Sequence, residues 1–142
     1  MQLFTNNADS ALNGAIDTVT TSITVKTGEG SKFPSPTGGD YFLVTLFQKV
    51  GAAEVNHEIV KCTSRSTDVL TVVRAQEGTT AKAFGNANPI ELRVTAGTLI
   101  SKQDVLVSAT NIKTINGTSL LGAGDVVVGI DATTLGLIYA GL

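Results

Sequence analysis

The stretch Asp40-Tyr41-Phe42-Leu43-Val44-Thr45-Leu46-Phe47 decides how this chain folds. It is apolar on both alternating faces for most of its length, and a strand covered on both sides belongs in the middle of a sheet or sandwich. Before it, Phe33-Pro34-Ser35-Pro36-Thr37-Gly38-Gly39 cannot continue a ladder, because its two prolines lack N–H donors and paired glycines favour turns. After it, the small residues of Val50-Gly51-Ala52-Ala53 turn the chain into a second run, His57-Glu58-Ile59-Val60-Lys61-Cys62-Thr63. That run ends in the polar turn Ser64-Arg65-Ser66-Thr67-Asp68, and Val69-Leu70-Thr71-Val72-Val73-Arg74 follows at hairpin distance. Three consecutive strands joined by short polar turns make an antiparallel meander.

Outward from the meander, Ser22-Ile23-Thr24-Val25 alternates at period two and stops at Thr27-Gly28-Glu29-Gly30, as a half-buried strand bounded by a turn does. Residues Leu3 to Gly14 mix Leu3, Phe4, Ala8, Ala11 and Leu12 with Asn, Asp and Ser too irregularly for a strand and read as an extended arm. On the far side, Val73-Arg74-Ala75-Gln76-Glu77-Gly78-Thr79-Thr80-Ala81 carries a strand into a polar turn. Ile90-Glu91-Leu92-Arg93-Val94-Thr95 then alternates without a break, with Ile90, Leu92 and Val94 on one face and Glu91, Arg93 and Thr95 on the other. Thr95 can cap a helix through its hydroxyl, and Leu99, Ile100, Val105 and Leu106 recur at helical intervals through Ala109, so one short helix is expected.

The remaining residues change style. Asn111-Ile112-Lys113-Thr114-Ile115 meets Thr118-Ser119-Leu120-Leu121 across Asn116-Gly117, the dipeptide best suited to a tight hairpin turn with positive φ at both central positions. Gly122-Ala123-Gly124-Asp125 turns again into Val126-Val127-Val128, and the unit is too short to bury itself. The last fourteen residues, from Gly129 to Leu142, are apolar with one charge, Asp131, a composition that calls for cover by a partner. The expected fold is therefore mainly β. An antiparallel β-sandwich or barrel-like domain with an N-terminal arm occupies residues 1–95, a short helical linker 96–110, a β-hairpin connector 111–128 and an apolar docking tail 129–142.

Composition bounds the function. A chain of 142 residues is long enough for one domain with a real core. Its ten basic residues are scattered among twelve acidic ones, which predicts no nucleic-acid partner and no anionic-lipid surface. The lone Cys62 cannot form an internal disulfide, so stability is expected from packing or association. The N-terminal residues lack the basic and apolar regions of a signal peptide, no apolar run reaches bilayer length, and the expectation is a soluble protein made in a cytoplasm.

Residue types that could carry chemistry read as structural. His57 is the only histidine, so a metal site would need carboxylates alone, and no motif supplies the partners of a catalytic triad. Cys62 is either a small buried hydrophobe or a nucleophile served by His57, and a spacing of five puts the two on opposite faces of a regular strand. Gly28-Glu29-Gly30-Ser31-Lys32 lacks the spacing of a phosphate loop and reads as a turn. Asn116-Gly117-Thr118 fits a glycosylation pattern, but hairpin geometry already explains its Asn-Gly. Asp40, Glu77 and Glu91 offer carboxylates for sugar hydrolysis without a defined cleft, and Glu91 with Arg93 reads as a solvated or inter-subunit charge pair. No cofactor, metal or catalytic residue is expected.

Five stretches, in this order, resemble the N-terminal module of tailed-bacteriophage tail-fibre and tail-appendage proteins: Leu3-Phe4-Thr5-Asn6-Asn7-Ala8, Phe33-Pro34-Ser35-Pro36, Glu58-Ile59-Val60-Lys61, Arg74-Ala75-Gln76-Glu77-Gly78-Thr79-Thr80-Ala81 and Glu91-Leu92-Arg93-Val94-Thr95-Ala96-Gly97. The likeness covers most of residues 1 to 110. Ile112 to Asp125 resembles the short connector that recurs between modules of phage fibre proteins. The resemblance implies a non-enzymatic structural subunit of the virion, assembled in the host cytoplasm, homotrimeric, and joined to other tail or capsid proteins through its termini. On that reading Ile112, Ile115, Leu120, Leu121, Val126, Val127 and Val128 pack near the oligomer axis, and Leu135, Leu137, Ile138 and Tyr139 dock on a partner. Fibre proteins commonly continue past the connector into a shaft and receptor-binding tip, whereas this sequence stops at Leu142, which leaves receptor binding open and brings in a capsid decoration protein as the alternative. A glycan hydrolase acting during adsorption is a distant third.

Overall fold

A computed structural model describes Met1 to Gln103, and the chain divides between Val94 and Thr95 into two compact units. The first is a six-stranded antiparallel sheet built from β1 (Asp9–Ala11), β2 (Ser22–Thr24), β3 (Phe42–Val50), β4 (Ala53–Ser66), β5 (Val69–Gln76) and β6 (Pro89–Glu91). Its strand order is β1-β6-β3-β4-β5-β2. The meander β3-β4-β5 is the centre, as the three successive runs predict, and β3 is interior, as a run apolar on both faces predicts. Phe42, Val44 and Leu46 are fully buried on one face of β3, while Leu43, Thr45 and Phe47 on the other are at most 6% exposed, so the strand is covered on both sides.

A single curled sheet, rather than two stacked ones, makes this the barrel-like of the two architectures expected. Curling follows from twist, which grows wherever an extra residue enters a ladder. Three such irregularities interrupt the central pairings, and two coincide with non-glycine residues at positive φ, Asn56 at 55° and Ala75 at 56°. The curl brings the two sheet edges together. Leu12 pairs with Val25 through Asn13 N–H donating to Thr24 O at 2.8 Å and Lys26 N–H donating to Ala11 O at 2.8 Å. Stitching the edges occupies backbone groups that would otherwise invite another chain.

The N-terminal arm is more regular than its composition suggests. Asp9–Ala11 forms a strand against β6, Leu92 N–H donates to Ala8 O at 2.9 Å, and Gln2 forms a parallel bridge with Tyr41. Short, polar-rich segments acquire strand geometry here from the ladder they join, not from their own periodicity. The opposite holds for Ile90 to Thr95, where only Pro89–Glu91 is strand. Ile90 is buried and Leu92 is partly buried against the core, but Val94 is 63% exposed, because the chain has left the β3 ladder by then.

The core gathers Ile16, Ile23, Val25, Phe33, Phe42, Val44, Leu46, Val60, Cys62, Leu70, Val72, Phe84 and Ile90 with Ala8 and Leu12 from the arm. Phe33 stacks on Phe42 at 6.0 Å between ring centroids, so the Pro-rich loop is held by an aromatic anchor. Burying each such ring contributes about 1.5–3 kcal/mol.

The helix α1 (Ala96–Gln103) starts where Thr95 predicts: Thr98 N–H donates to Thr95 Oγ1 at 3.2 Å. The expected continuation through Val105, Leu106 and Ala109 lies outside the described residues, as do the hairpin at 111–121, Val126 to Val128 and the tail.

Candidate functional site

The most developed polar arrangement among the described residues is built from β4, β5 and the segment after β5. Alternation along β4 puts Glu58 on the same side as Val60 and Cys62, both fully buried, and alternation along β5 puts Arg74 with Leu70 and Val72. Two charges thus point into the apolar interior, which costs several kcal/mol unless they are paired and fully hydrogen-bonded. They are. Arg74 Nε and Nη2 donate to Glu58 Oε1 and Oε2 at 2.8 and 2.7 Å, a bidentate pair.

The rest of each group is also satisfied. Glu58 Oε1 accepts Ala75 N–H at 3.0 Å and Oε2 accepts Lys82 N–H at 2.8 Å. The remaining Arg74 donors reach Asp17 O at 2.7 Å, Thr20 O at 3.0 Å and Lys82 O at 2.6 Å. All five guanidinium N–H groups and four carboxylate acceptor positions are therefore used. Burial pushes the Glu58 carboxyl up, but the Arg74 bond and the amides of Lys82 and Ala75 outweigh it and hold the group below the ordinary glutamate value. The turn in Arg74 to Thr80 is shaped for this purpose. Ala75, Glu77 and Gly78 all have positive φ, which swings the Ala75 amide onto Glu58, and Thr79 Oγ1 accepts Ile59 N–H at 3.1 Å.

A second cluster occupies the other face of the sheet, near the β3-β4 turn. Arg93 donates to both oxygens of Glu54 at 2.8 and 2.9 Å and to Glu91 at 2.8 Å, with its guanidinium 4.4 Å from the Phe47 ring centre. His57 stacks on the same ring at 5.9 Å and lies 3.3 Å from Glu54. Arg93 bonding, followed by His57, holds the Glu54 carboxyl at about 2 in spite of partial desolvation. The expected Glu91–Arg93 pairing is present, and Glu54 is a partner that strand parity alone does not reveal. The Asn56 irregularity sets β4 out of simple register beside His57.

The other candidate residues are separated. Cys62 is buried with its thiol pushed up by desolvation, while His57 is on the exposed face, so the two do not form a dyad. Asp40 holds the Met1 amine at 2.6 Å, and Glu91 sits opposite Thr45, five residues further along and roughly 16 Å away at strand rise. The Gly28–Lys32 turn does wrap a carboxylate, but an internal one: Gly28 N–H and Gly30 N–H donate to the two oxygens of Asp68, both at 2.9 Å. The expected interface residues Ile112, Ile115, Leu120, Leu121, Val126, Val127, Val128, Leu135, Leu137, Ile138 and Tyr139 lie outside the described residues.

Among the described residues no group of three or more His, Cys, Asp or Glu side chains is placed to hold a metal ion. Comparison with protein-family models finds no match, and comparison with curated proteins finds none either.

Proposed function

We propose that this chain is a structural protein of a tailed-bacteriophage virion, a homotrimeric tail-fibre or tail-appendage adaptor that assembles through its termini. The supporting observation is that separate motifs of the resemblance meet one another in space. Glu58 of one motif grips Arg74 and Ala75 of another. Ala8 of the arm motif accepts the amide of Leu92 from the last motif at 2.9 Å. Motifs that lock together in this way belong to one cooperative unit, as the parts of a module that recurs as a whole would, and this supports the reading.

On this reading residues 1 to 94 are the rigid body of the adaptor and the apolar tail is its link to neighbours. The experiment is to purify particles that carry the chain and count its copies, together with sedimentation of the isolated protein. A trimer in solution and a few dozen copies around the tail support the adaptor. Hundreds of copies over the shell replace it with a head decoration protein, and a stable monomer absent from particles defeats both. Deleting residues 129–142 should leave the sheet folded and abolish incorporation.

A further inference from the structure

Asn13-Gly14 lies at the seam where the sheet edges meet. Asn13 N–H donates across the seam to Thr24 O, and Gly14 N–H donates to Asn86 Oδ1 at 2.8 Å. Both residues are exposed, Gly14 has φ 121°, and nothing lies within 4 Å of the place where a Cβ would stand. An asparagine followed by glycine is the pair in which the next backbone nitrogen most readily reaches the side-chain carbonyl carbon, because no side chain obstructs it. We infer that Asn13 is a site of spontaneous backbone-mediated deamidation whose rate in the folded protein is governed by Asn86.

The Gly14 nitrogen loses its proton to solvent base and bonds to Asn13 Cγ, the carboxamide C–N bond breaks, and ammonia leaves with that proton returned to it. The resulting five-membered imide then takes up one water at either carbonyl, giving aspartate or its β-linked isomer. No oxidant or cofactor is involved. Asn86 Oδ1 opposes the first step, since the proton that must leave is the one it accepts. The product matters because of position: the β-linked isomer lengthens the backbone by one carbon beside the Asn13–Thr24 bond, and either product adds a negative charge at the seam.

The test is incubation of the full chain in mildly alkaline buffer, with peptide mapping by mass and chromatographic separation of the two acid isomers at residue 13. Asn116-Gly117 in the same chain reports that conditions permit the reaction. Wild type should convert at Asn13 more slowly when folded than in urea. Asn86→Ala should accelerate the folded rate roughly fivefold, the factor for loss of one ordinary hydrogen bond. Asn86→Asp keeps an acceptor and should match or slow the wild-type rate. If Asn86→Ala fails to fold, the Asn86→Asp comparison still decides. Equal folded rates in a folded Asn86→Ala and wild type, an acceleration in Asn86→Asp, or no conversion at Asn13 in any folded form while Asn116 converts overturns the inference.

Discussion

Glu58 and Arg74, sixteen residues apart, meet fork to fork inside the sheet, with the carboxylate fully buried and the guanidinium side chain 7% exposed. The pair joins β4 and β5 to the Asp17–Thr20 turn and to Lys82, four segments in one network with no member left unsatisfied. Such a network stabilises little relative to an apolar replacement of equal shape, but breaking one half of it leaves a buried charge alone.

Glu58→Ala and Arg74→Ala are each expected to cost about 3–5 kcal/mol. The double substitution Glu58→Ala with Arg74→Ala should cost less than the sum of the single ones. Urea unfolding of the four proteins measures the coupling, and additive losses would contradict the buried-pair account.

Acid should weaken the fold through carboxylates held low by their partners. Glu58 is held low by bonds that outweigh its burial, Asp68 by the amides of Gly28 and Gly30, and Glu54 at about 2 by Arg93. A carboxyl lowered in the folded state gives stability that is complete above its ordinary value near 4.5 and is lost as pH falls through the lowered value. The urea midpoint should therefore be flat from about pH 7 to about pH 5 and fall steadily towards about pH 2. Glu58→Gln should flatten the acid limb. An acid limb as steep as wild type in that variant would remove Glu58 from the explanation.

Cys62 should be inert in the native protein, because the thiolate is the reactive form and burial raises the thiol well above its ordinary value. A thiol reagent should label it only as fast as the sheet opens, and at once in denaturant. Immediate labelling of native protein would show that β4 is not packed as described. Cys62→Ser should destabilise by about 1–3 kcal/mol, having buried a hydroxyl in place of a small apolar group.

Gly30 has no room for a side chain: an added Cβ would fall on Thr67 O and against the Asp68 backbone. Gly30→Ala should cost about 1–3 kcal/mol, while the neighbouring Ser31→Ala should change stability within about 0.5 kcal/mol. Thermal melts of both variants separate a steric requirement of the turn from a loss of its polar groups. Equal losses would refute the steric account.

How much of this was legible before folding depends on the residue. The unbroken apolar run Phe42 to Phe47, followed by two strand-like runs at hairpin distance, predicts the meander because each reading needs only neighbouring residues. Strand parity marks Glu58 and Arg74 as inward-facing, a signal available in the sequence but easily read as polar punctuation. Thr95 could be read as a cap because capping is local. The arm, the short β6 and the Asp68 clasp on Gly28 and Gly30 could not, since each exists only through groups far away along the chain.

Side-chain period and backbone sterics within a few residues are enough to place the three central strands, the apolar side of β4 and β5 and the turns between them. That the sheet curls until Leu12 meets Val25, that Arg74 finds Glu58 and that Arg93 reaches across to Glu54 is set by the folded arrangement alone. Those outcomes depend on accumulated twist and on register shifts at Asn56 and Ala75, small local departures whose positional effect grows with distance along the sheet.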